Sequence, residues 1–281
     1  MRVSDRRRIV AMGGGGYSME PDNPLLDQFL VGLAARRRAR PTVCYLGTAG
    51  GEQERFSAMF FDAYGRLACR PVELSLFWRE VDDLEGFLLD CDAVLVGGGN
   101  TANLLAVWRV HGLDRALRSA WEAGVVLAGW SAGMLCWFEA GVTDSFGVRR
   151  LDPLHDGLGL LAGSACPHYD GEEQRRPTYQ RLVGGGFPAG YAADDGAALV
   201  FAGTELTEVV TSRPGARAFR VERTDGGVVE TPLAARFLGA AASGEPIHGE
   251  GKVEADRRGP GPRHSPLETE KLTLLRLEVL G

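Results

Sequence analysis

Lysine is almost missing from this chain: Lys252 and Lys271 are the only two among 31 basic residues. The remainder are arginines, and the clusters Arg6 to Arg8 and Arg36 to Arg38 read as solvated surface of an arginine-rich composition. There is no strong charge of one sign either, because 37 acidic side chains leave a net charge of −6. A mild acid excess offers no electrostatic footprint for nucleic acid or an anionic membrane surface. Cysteine is scarce and odd in number, and Cys44, Cys69, Cys91, Cys136 and Cys166 are scattered without CxxC spacing. That argues against a disulfide framework or a zinc site and leaves them as buried small hydrophobes. No apolar run approaches the roughly 18 to 20 residues of a spanning helix. The run Ile9 to Met12 is too short for the hydrophobic region of a signal peptide, so a cytoplasmic protein is expected.

What the chain does have is apolar material, 44% hydrophobic positions over 281 residues, enough to bury a large α/β core. Short β-branched runs alternate with segments of helical period, the pattern of βαβ units and a parallel sheet. Arg8 to Met12 is expected as a strand ending in the glycines Gly13 to Gly16, followed by a helix with Leu25, Leu26, Phe29, Leu30 and Leu33 on one stripe. Thr42 to Leu46 and Pro71 to Phe77 are further strands, with a helix carrying Phe56, Met59, Phe60 and Ala63 between them. A short helix with Leu84, Phe87 and Leu88 precedes the next unit. Two units then repeat more clearly. Asp92 to Val96 runs into Gly97-Gly-Gly-Asn-Thr101 and a helix with Leu104, Leu105, Val107 and Trp108. Gly124 to Ala128 runs into Gly129-Trp-Ser-Ala-Gly133 and a helix from Met134 to Phe138. Both turns fall at the carboxyl ends of strands, the edge where open α/β sheets bind ligands.

Residues 141 to 190 read as loop-rich, and a long irregular segment in a compact domain is often functional. Ala197 to Ala202, Thr207 to Thr211, Ala218 to Arg223 and Gly227 to Thr231 are expected as strands of a C-terminal β-rich portion. The organisation expected is one α/β domain over 1 to 243, then a Gly/Pro-rich segment and a C-terminal strand or tail over 244 to 281.

The turn Gly129 to Gly133 matches G-x-S-x-G between a strand and a helix, which presents Ser131 on a strained corner above the sheet, as a nucleophile requires. The plainer reading is an ordinary turn. The glycine run Gly97 to Gly99 leaves backbone N–H groups unshielded. It lacks the Lys and spacing of a P-loop, so beside a serine elbow it suits an oxyanion, held by the N–H of Ala132 with that of Gly98 or Gly99. A base must come from five histidines. His248 and His264 lie in the Gly/Pro-rich stretch, and His111 follows a helix, which leaves His155 and His168, with a slight preference for His168 after the stiffening Pro167. Asp144, Asp152, Asp156, Asp170, Glu172, Asp194 and Asp195 could each orient it, and spacing does not choose among them.

These residues together resemble the peptidase E family, aspartyl dipeptidases and relatives with a class I glutamine amidotransferase-like, flavodoxin-like three-layer fold and a catalytic serine. The resemblance rests on VLVGGGNT (94 to 101), AGWSAGM (128 to 134), Thr143-Asp144-Ser145-Phe146, Gly157 to Leu160, Pro167-His168-Tyr169-Asp170 and Ala193 to Leu199, in the family's order. It implies Ser131 as nucleophile, His168 as base and Asp195 as the acidic third member, where several relatives carry Glu. Gly98, Gly99 and Ala132 are implied at the oxyanion hole. Substrate contacts are expected from Asn100, Thr101, Asp144 and Ser145 and from a cation among Arg149, Arg150, Arg175 and Arg176. The activity implied is hydrolysis of small peptides through an acyl-enzyme, as an exopeptidase or dipeptidase, without metal or organic cofactor. The partners expected are a small peptide substrate and a homodimer mate, with no nucleic acid and no membrane. Two alternatives stand beside it, a cyanophycinase-like exopeptidase on β-aspartyl peptides and a catalytically silent small-ligand-binding protein. An α/β-hydrolase would place its base at His248 or His264, and a glutamine amidotransferase would carry Cys in place of Ser131.

Overall fold

A computed structural model describes residues 7 to 148 and 150 to 239 of the chain. Five strands, β1 (Arg8–Met12), β2 (Thr42–Leu46), β3 (Arg70–Glu73), β4 (Ala93–Val96) and β5 (Val126–Trp130), run parallel in the order β1-β5-β4-β2-β3. Their near-continuous Val, Leu, Ile and Ala runs are what a sheet covered on both faces requires. Alternate residues enter opposite layers. Val10, Met12, Val43, Tyr45, Leu95 and Trp130 pack under α1 (Leu25–Ala34) and α2 (Glu54–Gly65). Ile9, Cys44, Val94, Val96 and Leu127 pack against α3 (Leu84–Leu89), α4 (Thr101–His111) and α5 (Leu113–Glu122) on the other face. The result is the expected three-layer α/β architecture.

Later strands extend this sheet. β10 (Ala197–Ala202) joins β1 antiparallel, β11 (Glu205–Thr211) joins β10, and β14 (Ala235–Phe237) closes that edge. A second sheet of six strands has the order β13-β12-β9-β8-β6-β7, from β6 (Phe138–Thr143), β7 (Asp152–Leu154), β8 (Leu161–Cys166), β9 (Gly190–Ala193), β12 (Ala218–Thr224) and β13 (Gly227–Pro232). Helix α7 (Arg175–Gly184) packs Tyr179 and Val183 onto it.

Four expectations need correction. The helix after the serine turn is α6 (Ala132–Leu135), only four residues long, and Phe138 opens β6 instead of ending a helix. The segment from 141 to 190 is less irregular than expected, because it carries the end of β6, β7, β8 and α7. Its strands hide from periodicity because glycines serve close backbone approach there; a Cβ on Gly157 would overlap the Phe138 carbonyl and one on Gly190 that of Ser164. Strand β3 stops at Glu73 instead of reaching Phe77, since the N–H groups of Leu76 and Phe77 turn onto the Glu52 carboxylate at 2.8 and 3.1 Å. Arg37 and Arg38 are not mere solvated surface: both reach the buried Asp92 carboxylate at 3.4 Å. Arg149, His248, His264 and the segments 244 to 270 and 272 to 280 lie outside the described residues.

Candidate active site

Ser131 sits between β5 and α6 at φ 57° and ψ −115°, a left-handed backbone that a non-glycine residue holds only under constraint. The constraint is legible in its neighbours. A Cβ on Gly129 would lie 2.6 Å from the Gly133 carbonyl oxygen and 2.7 Å from that of Val96, and one on Gly133 would overlap Val96 O as well. Only glycines let the turn fold this tightly against β4. The Ser131 carbonyl then accepts from Met134 and Leu135 N–H at 2.9 and 3.0 Å, starting α6. The serine is half-buried, at the carboxyl end of the sheet.

Gly98 packs directly beside it, since a Cβ there would stand 3.2 Å from the Ser131 Cβ and 2.9 Å from the Trp130 indole nitrogen. Gly99 takes φ 137° and fits under the backbone of Ala49 and Gly50. Gly97 and Asn100 N–H groups are engaged by Leu46 and Ala49 carbonyls at 3.0 and 2.8 Å. Among the described residues no acceptor meets the N–H of Gly98 or Gly99. Two unpartnered donors beside a serine are the raw material of an oxyanion hole.

On the other side of the serine, β1 is followed by Gly13 and Gly14. Ser131 N–H donates to Met12 O at 3.3 Å, and a Cβ on Gly14 would come within 2.9 Å of His168 Nδ1, so serine and imidazole flank the same short segment. His168 follows β8 and Pro167 at φ 53°. Its Nδ1 meets Asp195 Oδ1 at 2.6 Å, with both side chains largely shielded from solvent. With Nδ1–H donating to the carboxylate, Nε2 is the nitrogen left with a lone pair for a proton.

The Asp195 carboxylate lies in a glycine cradle, where a Cβ on Gly14 would overlap Oδ1 and one on Gly171 would overlap Oδ2. Its backbone is fixed as well: the N–H donates to Asp170 Oδ1 at 2.8 Å, and the carbonyl accepts from Arg213 Nε at 2.9 Å. Burial works to raise the Asp195 pKa, but the His168 hydrogen bond and the charges of His168, Arg213 and Arg175 outweigh it and hold the carboxyl below its ordinary value. It is therefore an anion at neutral pH. Asp194 points elsewhere, its Oδ2 accepting Arg217 N–H at 2.9 Å; burial, helped by Asp170, pushes its pKa up to about 6. The carboxylate that faces the imidazole is thus Asp195.

The remaining expected residues fall into other settings. Asn100 caps α4, its Oδ1 accepting Asn103 N–H at 2.8 Å, and Ser145 Oγ accepts Thr101 and Ala102 N–H at 2.9 and 3.3 Å. With Thr143, they form a capping cluster behind the glycine turn, while Asp144 is exposed beside it. The Arg175 guanidinium is buried, donating to Val142 O at 2.7 Å and Glu172 at 2.6 Å. Arg176 pairs with Glu230 and lies over Tyr169 and Phe219; Arg150 pairs with Asp152 at 2.8 Å. His111 ends α4 and His155 is exposed, edge-on to Phe187.

A cleft of about 430 Å³ opens beside Gly98 and Gly99, walled by Met19, Tyr45, Gln53, Arg55, Phe56 and Trp130. Sequence reading missed these residues, and it also missed Gly14 and Gly171 as the cradle. The run Gly13 to Gly16 was a visible signal, though nothing in one sequence says which distant carboxylate it receives.

Comparison with known proteins follows the same lines. The model for peptidase family S51 matches residues 9–209. The uncharacterized peptidase YgaJ of Bacillus subtilis (strain 168) is 50% identical over 236 residues, which is 83% of this chain and all of that protein. Peptidase E of Shewanella denitrificans is 30% identical over 92 residues, 32% of this chain and 39% of that protein. The crystal structure of a peptidase from an acI-B1 Actinobacterium superposes with a TM-score of 0.62 at 18% identity, covering 81% of this chain and 94% of the other, a likeness of fold.

Proposed function

Because the chain belongs to peptidase family S51, we propose that it is a serine peptidase acting on small peptides, of the dipeptidase type that releases an N-terminal residue. Ser131 Oγ attacks the scissile carbonyl while His168 Nε2 takes its proton. Asp195 holds the imidazole in the tautomer that leaves Nε2 free and stabilises the imidazolium that forms. The N–H groups of Gly98 or Gly99 and of Ala132 receive the oxyanion, and His168 then protonates the departing amine. Water, activated by the same imidazole, releases the acyl group and restores Ser131.

The observation that carries this reading is the 2.6 Å contact between His168 and Asp195 at the segment Met12 to Gly14, to which Ser131, its backbone held at φ 57°, also donates its N–H. Structural roles alone leave both unexplained. A positive φ on a serine is costly, and a carboxylate in a glycine cradle facing an imidazole is the arrangement that makes a base. The five cysteines, free and buried, suit a reducing cytoplasm.

The test is a dipeptide library screened with the wild type and Ser131→Ala in parallel, together with fluorophosphonate labelling and peptide mass mapping. Cleavage lost in the variant and an adduct on Ser131 are expected. No cleavage across the library and no adduct would leave a ligand-binding protein of the same fold.

A further inference from the structure

The cleft beside the glycine turn is lined chiefly by the ends of β2 and β4 and the segments that follow them, with Ser18 and Met19 closing it from the segment after β1, whereas Gly14, His168 and Asp195 lie toward β1 and β10. In acyl transfer the imidazole protonates the departing amine, so the leaving half of the peptide belongs on the imidazole's side. The acyl residue is then the one whose side chain faces the cleft. The large walls are apolar, and Ser18, Gln53 and Arg55 are the polar side chains of the lining. Tyr45 and Trp130 stack at 6.5 Å with planes 9° apart and form the floor. Phe56 is half-buried along one flank, and Met19, at 45% exposed, lies along another. The Met19 thioether is positioned by Gly15 N–H at 3.2 Å, and thioethers adapt to varied apolar shapes. Among the described residues no carboxylate lines the cleft. Among the described residues the one charged member of the lining is Arg55, which is solvent-exposed and lays its guanidinium over the Phe56 ring at 4.4 Å.

We infer that this cleft receives a large apolar or aromatic side chain of the acyl residue, such as Phe, Tyr, Leu or Met, in preference to the carboxylate of an aspartate. The inference rests on the peptidase reading above. A volume of about 430 Å³ far exceeds a carboxymethyl group. An anion there would lose water against aromatic faces and gain only a cation screened by solvent. A phenyl ring removes the half-buried Phe56 and exposed Met19 surfaces from water at the same time as its own, over a floor that Tyr45 and Trp130 already keep buried.

The test measures kcat/KM on Phe-Ala, Leu-Ala, Asp-Ala and Gly-Ala for the wild type, Phe56→Ala and Gly50→Leu, with melting temperatures alongside. Gly50 lies in the cleft wall, and a Cβ there makes only ordinary contacts with Phe56 at 3.4 Å and the Gly98 carbonyl at 3.6 Å, so a leucine can be rooted there to narrow the cleft, with the melting temperature as the check on folding. Phe-Ala and Leu-Ala should exceed Asp-Ala and Gly-Ala by about tenfold or more. Gly50→Leu should lower the ratio of Phe-Ala to Gly-Ala by about tenfold, and Phe56→Ala should lower it in the same direction. Cleavage led by Asp-Ala, or an unchanged ratio in a folded Gly50→Leu, overturns the cleft assignment alone. Cleavage of none of the four overturns it together with the dipeptidase reading.

Discussion

Replacing Gly14 by alanine puts a methyl carbon 2.9 Å from both the Asp195 carboxyl carbon and His168 Nδ1, and on top of Asp195 Oδ1. Ordinary contact needs about 3.5 Å or more, so the carboxylate has to withdraw by about 1 Å. It has nowhere to go, because a Cβ at Gly171 on the far side would already overlap Oδ2. Gly14 does not have a positive φ, so alanine suits its backbone and the collision is the whole perturbation. A displacement of about 1 Å in a catalytic group costs on the order of a hundredfold in rate. Gly14→Ala should therefore slow fluorophosphonate labelling of Ser131 by about that factor. Gly32→Ala is the matched control. Gly32 lies inside α1 with nothing within 4 Å of an added Cβ, so labelling should be unchanged and stability should rise by about 0.5–1 kcal/mol. A folded Gly14→Ala that labels within twofold of wild type would refute the claim that the Asp195–His168 pair activates the serine.

Arg175→Met removes a guanidinium whose side chain is 3% exposed and leaves the Val142 carbonyl without its donor, a loss of about 1–3 kcal/mol. Thermal melting should fall by several degrees with KM unchanged; a raised KM at unchanged melting would make Arg175 the substrate clamp. Ser145→Ala removes the acceptor for Thr101 and Ala102 N–H and should cost about 0.5–2 kcal/mol by chemical denaturation. Asp27 is buried and accepts from Tyr64 OH at 2.9 Å, and burial raises its pKa to about 6 from 3.8. With the folded value above the unfolded one, its contribution is fully present below pH 3.8 and is lost as pH rises through about 6, about 3 kcal/mol in all. Asp27→Asn should flatten that part of the stability profile, so its stability relative to wild type should be greater at pH 8 than at pH 4; a constant difference across that range would show that Asp27 does not titrate there.

Much of the layered fold is legible in the chain because local chemistry settles it. Buried parallel strands demand apolar runs such as Val94-Leu-Val96, and a helix over a sheet demands the stripe of Leu26, Leu30 and Leu33. Ser131 is legible for a similar reason, since Gly129 and Gly133 betray a turn that only glycine can make. In the second sheet β12 and β13 are legible, but β6, β8 and β9 are not, because they carry Gly141, Gly163 and Gly190 where backbones approach closely, and so lose the alternation that marks a strand. The substrate-side expectations at Arg175 and Ser145 rested on residue type, and residue type does not show that a guanidinium is turned inward or that a hydroxyl caps a helix.

By itself the sequence determined most strands and helices of the parallel layer, and that a serine stands at a strained corner of the sheet. Tertiary structure decided which carboxylate meets the imidazole. Asp194 and Asp195 are neighbours of identical chemistry, but their side chains leave the backbone in different directions, one toward Arg217 and one into the cradle of Gly14 and Gly171. That choice depends on three segments more than 20 residues apart in the chain meeting at one sheet edge, and no local pattern records such a meeting.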